Sequence, residues 1–145
     1  MPNTKPVGVA YSDPELVSGT TITGATISGG TVSGTTVTAT GDLYVASATV
    51  AATGSTQADA AQLTGGFTLV SAADATKGVK LPEAVAGRVV IIKNGANAVL
   101  KVWPSTGDAV NAIAANSNYV LAANTSSILV AYDSTTWYSV PLLAS

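Results

Sequence analysis

A β-branched apolar residue returns at every fifth position between Val17 and Val37. The pentads read Val17-Ser-Gly-Thr-Thr, Ile22-Thr-Gly-Ala-Thr, Ile27-Ser-Gly-Gly-Thr, Val32-Ser-Gly-Thr-Thr and Val37-Thr-Ala-Thr-Gly. A period of five fits no ordinary element. On an α-helix a step of five residues turns about 140° past a full revolution, so the apolar side chains form no stripe. On a flat strand an odd step sends successive side chains to opposite faces. The chain keeps all five inward only if it bends or rotates once per pentad, and the glycine in each of the first four permits that bend. One chain this thin cannot bury those residues by itself, whereas several copies wound about a common axis can. The spacing therefore predicts an intertwined, homo-oligomeric β stalk, most simply a trimer, with Val17, Ile22, Ile27, Val32 and Val37 as its core. A Gly/Ser/Thr-rich stretch is also the composition of a flexible linker. The fixed Val/Ile spacing and β-branched content favour packed structure instead. Fully extended, the pentads span at most about 80–90 Å.

Charge is sparse. Only 10% of the 145 residues are charged, the net charge is −2, and none lies between Glu15 and Asp42. About 25% is usual. With no Lys/Arg cluster, nothing points to nucleic acid as a partner. No run approaches the roughly 20 apolar residues of a membrane-spanning helix, so no membrane partner is expected. Cysteine and histidine are both absent, which removes thiolate chemistry and the commonest general base and metal ligand. The opening Met1-Pro2-Asn3-Thr4-Lys5-Pro6 lacks the apolar core of a signal peptide, so synthesis in a cytoplasm is expected.

Four regions follow from these patterns. Residues 1–16 are a polar, proline-punctuated lead containing Val7-Gly-Val-Ala-Tyr11; residues 17–41 are the pentads; residues 42–62 are an Ala/Thr-rich connector; residues 63–145 read as a compact domain. Within the connector, Ser55–Gln62 has the makings of a helical turn or two, capped by Ser55 or Thr56. Beyond it, runs rich in Val, Ile, Leu and aromatics lie between turn residues. They predict strands near Gly66–Ser71, Lys77–Leu81, Arg88–Lys93, Ala98–Trp103, Asn118–Leu121, Ser127–Asp133 and Trp137–Val140. Lys93-Asn94-Gly95-Ala96-Asn97 and Asp133-Ser-Thr-Thr136 read as hairpin turns, and Pro82 and Pro104 as strand ends. The expected fold class is all-β, with an N-terminal pentad-repeat stalk followed by an antiparallel β-sandwich or barrel. About 80 residues bury a modest core, so self-association would add needed burial.

Enzyme signatures are missing: no Walker sequence, no zinc spacing, no Gly-x-Ser-x-Gly elbow. The acids Asp13, Glu15, Asp42, Asp59, Asp74, Glu83, Asp108 and Asp133 are scattered singly. Asp74, Asp108 and Asp133 adjoin turn residues, where Asp caps its own backbone; calcium ligation would need several oxygens converging. Trp103, Trp137, Tyr119, Tyr132 and Tyr138 can stack on a sugar, but aromatics at strand positions more often form a core or a subunit interface. The cations Lys77, Lys80, Arg88, Lys93 and Lys101 all fall in the C-terminal region, as a binding surface or a solvated face. The residues thus give no reason to expect an enzyme, a cofactor or a resident metal.

Two segments carry a resemblance. The lead Pro6-Val-Gly-Val-Ala-Tyr-Ser-Asp-Pro14, followed by the pentads, resembles the N-terminus of the head-fibre or capsid decoration proteins of tailed bacteriophages. Leu81-Pro-Glu-Ala-Val-Ala-Gly87, Ile91-Ile-Lys-Asn-Gly95, Lys101-Val-Trp-Pro-Ser-Thr-Gly-Asp108 and Trp137-Tyr138 are similar to a β domain recurring in phage virion proteins. The resemblance implies a homotrimer on the capsid exterior, with the lead on the major capsid protein and the β domain projecting outward. Val7, Val9, Tyr11 and Leu16 are then the expected capsid contacts. An alternative is a host-recognition module that binds a surface glycan through exposed aromatics.

Overall fold

The computed structural model describes residues 40–42, 44–64 and 66–142. The lead and the pentads, with the stalk and capsid-contact residues assigned to them, lie outside the described residues. What is described is all-β, with no helix among the described residues. In chain order the strands are β1 (Ser47–Ala51), β2 (Ala61–Gln62), β3 (Phe67–Ala72), β4 (Gly78–Lys80), β5 (Val89–Asn94), β6 (Leu100–Trp103), β7 (Ala109–Val110), β8 (Tyr119–Leu121), β9 (Ser126–Ala131) and β10 (Thr136–Leu142).

These strands form two sheets: a larger one ordered β1-β3-β5-β9-β10-β7 and a smaller one ordered β2-β4-β6-β8. From β1 to β6 the chain alternates between the sheets, laying one strand in each before returning. Each strand therefore lands beside the one two before it, running the same way. The β1–β3, β3–β5, β2–β4 and β4–β6 pairs are all parallel. The result is a solenoid-like stack that turns back on itself at its C-terminal side. There β8 adds antiparallel to β6, β9 antiparallel to β5, and β10 returns antiparallel to β9. The edge strand β7 pairs parallel with β10. The antiparallel arrangement expected from the sequence thus holds only for β8, β9 and β10. Parallel neighbours need a crossover, and here each crossover runs through a strand of the opposite sheet.

Both sheets turn apolar side chains onto one core. The larger contributes Val70, Val90, Ile92, Val110, Leu129 and Trp137; the smaller contributes Val79, Leu100, Val102 and Leu121. Alternation along each strand sets this. In β5, Val90, Ile92 and Asn94 are buried while Val89, Ile91 and Lys93 face away; in β6, Leu100 and Val102 are buried while Lys101 and Trp103 face away. Trp137 is the largest fully buried side chain.

The connector does more than link. Residues 47–51 and 61–62 of it are β1 and β2, the first strand of each sheet. Between them lies one turn closed by Ala60 N–H donating to the Thr56 carbonyl at 3.1 Å. The cap is the Asp59 carboxylate reaching back, its Oδ1 accepting from the Thr56 backbone N–H and hydroxyl at 2.8 and 2.6 Å; no bond among the described residues has the Thr56 side chain accepting from the turn. Gln57 in the same turn donates its amide to the Pro104 and Ser105 carbonyls, at 2.9 and 3.2 Å, and so ties the turn to the loop after β6.

The Asn94–Asn97 segment is a corner between the sheets, not a hairpin. A two-residue hairpin of type I′ needs positive φ at both central residues, and neither Asn94 nor Gly95 has it. Asn94 is instead fully buried. Its amide nitrogen lies within 3.3 Å of the Ala98, Leu121 and Ala122 carbonyls, and its Oδ1 accepts from Ala96 N–H at 3.1 Å. One side chain thereby satisfies backbone groups that the change of sheet leaves without ladder partners. The Asp133–Thr136 turn is a hairpin between β9 and β10 as the sequence predicts, and Pro82 and Pro104 follow the ends of β4 and β6.

Candidate functional site

The charged groups come first, because reactive chemistry would rest on them. Asp74 Oδ1 accepts from the Thr76 hydroxyl at 2.7 Å and from the backbone N–H of Thr76 and Lys77, both at 3.0 Å. These bonds, led by the Thr76 hydroxyl and then the Lys77 N–H, hold its carboxyl far below the ordinary range. Asp133 Oδ1 does the same for Thr135 N–H at 2.8 Å and Thr136 N–H at 2.7 Å, and its pKa is lowered chiefly by the Thr135 backbone bond. Asp59 is lowered first by the Thr56 hydroxyl. All three ionise to satisfy turn backbone, the role expected of Asp74 and Asp133. Asp108 differs from that expectation: it is 5% exposed, and its Oδ2 accepts from Ala84 N–H at 2.9 Å, pinning the loop after β4 rather than its own turn. Among the described residues no three Asp, Glu, His or Cys side chains group as metal ligands.

The cations disperse. Lys77 pairs with Asp74 at 3.3 Å, Arg88 donates to the Glu83 carbonyl at 2.8 Å, and Lys93 Nζ donates to the Asn124 carbonyl at 2.6 Å. Arg88 also borders a cleft of about 320 Å³ lined by Leu63, Thr64, Gly66, Pro82, Val89 and Val90. Among the described residues its lining holds no nucleophile–base pair.

What the fold does assemble are two outer sheet faces of opposite character. On the smaller sheet, Lys80 lies opposite Trp103 and Gln62, and Lys101 opposite Gly78 and Val120. Trp103 reaches across Gly78: a Cβ there would stand 2.8 Å from its indole. Glycine at 78 is what lets the ring lie down on the sheet. On the larger sheet, Phe67, Ile91, Ile128 and Val140 stand side by side across β3, β5, β9 and β10. A second row joins Val89, Val130 and Tyr138. Tyr132 meets Tyr138 edge-to-face, ring centres 5.8 Å apart and planes at 74°.

The aromatics flagged from sequence therefore separate. Trp137 is core, Tyr119 packs against the core, Trp103 is half-buried, and Tyr132 and Tyr138 are exposed. The apolar rows were not foreseen as a surface. The signal lay in β5 and β9, where apolar residues occupy outward as well as inward positions (Val89-Val-Ile-Ile92 and Ile128-Leu-Val-Ala131). Comparison with family models, with curated proteins and with solved structures returns no match to this chain.

Proposed function

We propose that this chain is a structural virion protein, a homotrimeric decoration protein or short fibre on the outside of a bacteriophage capsid. The observation that carries the reading is the pentad run from Val17 to Gly41, whose period suits several chains wound about one axis. It precedes an all-β domain, and it follows a lead that resembles those of phage head proteins. In this reading residues 17–41 form the intertwined stalk, and Val7, Val9, Tyr11 and Leu16 meet the major capsid protein. Three leads on one trimer bind together, so weak individual contacts multiply through effective concentration. The protein acts by buried area and avidity, not by turnover.

Two measurements test it. Light scattering on the full chain gives three times the chain mass; a monomer at micromolar concentration removes the reading. Deletion of residues 1–14 leaves that mass unchanged and abolishes cosedimentation with capsids; retained cosedimentation removes the lead from its assigned role.

A second reading, recognition of a host-surface glycan, draws on Trp103 lying flat beside Lys80, Gln62 and Lys101. Trp137 is buried, so Trp103 is the tryptophan a sugar could perturb. A saturable change in tryptophan fluorescence on titrating host polysaccharide, lost in Trp103→Phe, would support it; an unchanged spectrum would exclude it.

A further inference from the structure

We infer that the outer face of β3, β5, β9 and β10 is a self-association surface, packed against the same face of other copies of this chain. Seven apolar side chains form two unbroken cross-strand rows there. Several stay well exposed in the single chain: Val89 at 47%, Tyr138 at 50% and Val140 at 51%. A sheet that faced water would alternate apolar with polar residues. Here β5 and β9 are apolar on both sides, the pattern of strands covered on both faces.

Charge and area identify the occupant. Lys93 is the only charged residue in the paired positions of this face, and it is turned to the Asn124 carbonyl. A charged partner would find nothing to pair with. The matching surface must itself be apolar, and each further copy presents one of the same size and shape. Seven side chains, each standing for two ~3.3 Å steps along a strand ~4.8 Å wide, give a footprint of roughly 220 Å² in projection. With Phe67, Val89, Tyr138 and Val140 between 37% and 51% exposed, the accessible apolar area is on the order of 450 Å² per copy, a patch of a size that is often functional. Burying it on two copies removes about 900 Å², close to the roughly 1,000 Å² of a specific interface. The stoichiometry rests on the homotrimer proposed above; the existence of the contact does not. It would place a second zone of subunit contact in the β domain, beyond the pentads.

The chain has no cysteine, so a single introduced thiol reports one place. Val140→Cys sits on this face, and Val120→Cys on the outer face of the smaller sheet. The two parent valines are equally exposed, 51% and 53%. In the full-length protein at tens of micromolar, the thiol at 140 should alkylate with a maleimide about tenfold slower than the thiol at 120, as when nine faces in ten are covered. Equal rates overturn the inference. If light scattering then still gives a trimer, the homotrimer reading stands without this contact; if it gives a monomer, both fail. Slow alkylation with a monomer mass also overturns it, because the chain's own residues would be covering the face. Slow alkylation with a dimer mass upholds the contact and rejects the trimer. Should Val140→Cys lose its far-UV β signature, Tyr138→Cys in the same rows is the replacement.

Discussion

The two sheets have similar inner faces and dissimilar outer ones. Inward, both present Val and Leu to one core, to which the larger adds Ile92 and Trp137. Outward, the smaller sheet carries Lys80, Lys101 and Gln62 around a flattened indole, while the larger carries rows of Val, Ile, Phe and Tyr. The inner faces are fixed by the need to bury one core, so their likeness is physics common to any such fold. The outer faces answer to whatever lies outside the chain, so their difference is where function is written. A cationic, partly polar face tolerates water. Two unbroken apolar rows, seven side chains in all, ask for cover.

The comparison can be broken first at the core. Trp137→Ala should cost about 3–5 kcal/mol and Leu100→Ala about 2–5 kcal/mol, both read from urea midpoints. A negligible loss at either would mean that the sheets do not share one cooperative core. Next comes the corner that joins the sheets. Asn94→Ala strands buried carbonyls and one N–H, at about 1–3 kcal/mol for a group left unsatisfied, again by urea unfolding; a neutral result would show that water replaces the amide.

The outer faces are separated by matched charges. Val89→Lys and Val120→Lys should each change intrinsic stability by no more than about 0.5 kcal/mol, as exposed substitutions do. Only Val89→Lys should shift the light-scattering dilution curve, by about tenfold or more in concentration. Equal shifts would erase the distinction between the faces.

The smallest effect is the response to acid, which both sheets should share through their turns. Asp59, Asp74 and Asp133 have folded pKa values below the ordinary 3.8. A depressed carboxylate contributes stability that is fully present above its unfolded value and is lost as pH falls through the folded one. The urea midpoint should therefore be flat from about pH 5 to 8 and decline below about pH 4. Asp74→Asn should flatten part of that decline; a midpoint that instead drops between pH 5 and 7 would point to other groups.

The long strands were legible as runs rich in Val, Ile and Leu between turn residues. In the fold Val89–Asn94 and Ser126–Ala131 bury every second residue and Phe67–Ala72 buries Thr68 and Val70, and the predicted runs overlap all three. The strands β1, β2 and β7 were not read. Two of them are only two residues long, and β1 is built from Ser, Ala, Thr and one Val, too little apolar contrast to show a period. Strand direction was not legible either. Alternation says which side of a strand is buried and nothing about which way its neighbour runs. Asn94-Gly95 carries the usual hairpin dipeptide, yet burial of the asparagine redirected it. Asp74 and Asp133 were placed correctly as turn caps because the bonds are local. Asp108 was not, because its partner Ala84 is 24 residues away. Of the candidate surface, the exposed tyrosines were visible in the sequence, but the rows depend on register between β3, β5, β9 and β10, which only the fold supplies.

The alternation between sheets also has a temporal side. During synthesis each strand from β3 to β6 finds its partner already made, two strands back: Phe67 beside Ser47, Val79 beside Ala61, Ile91 beside Phe67. A nascent chain can therefore build the stack in the order it leaves the ribosome, with short loops to close at each step. The return strands break that rhythm. The β9 neighbour of Ile91 is Ile128 and the β10 neighbour of Ala109 is Thr136, and the core's largest side chain is Trp137. Until that residue emerges, the growing stack holds an open apolar trough on its inner side, and a ribosome stalled anywhere short of it should display a substrate for chaperones.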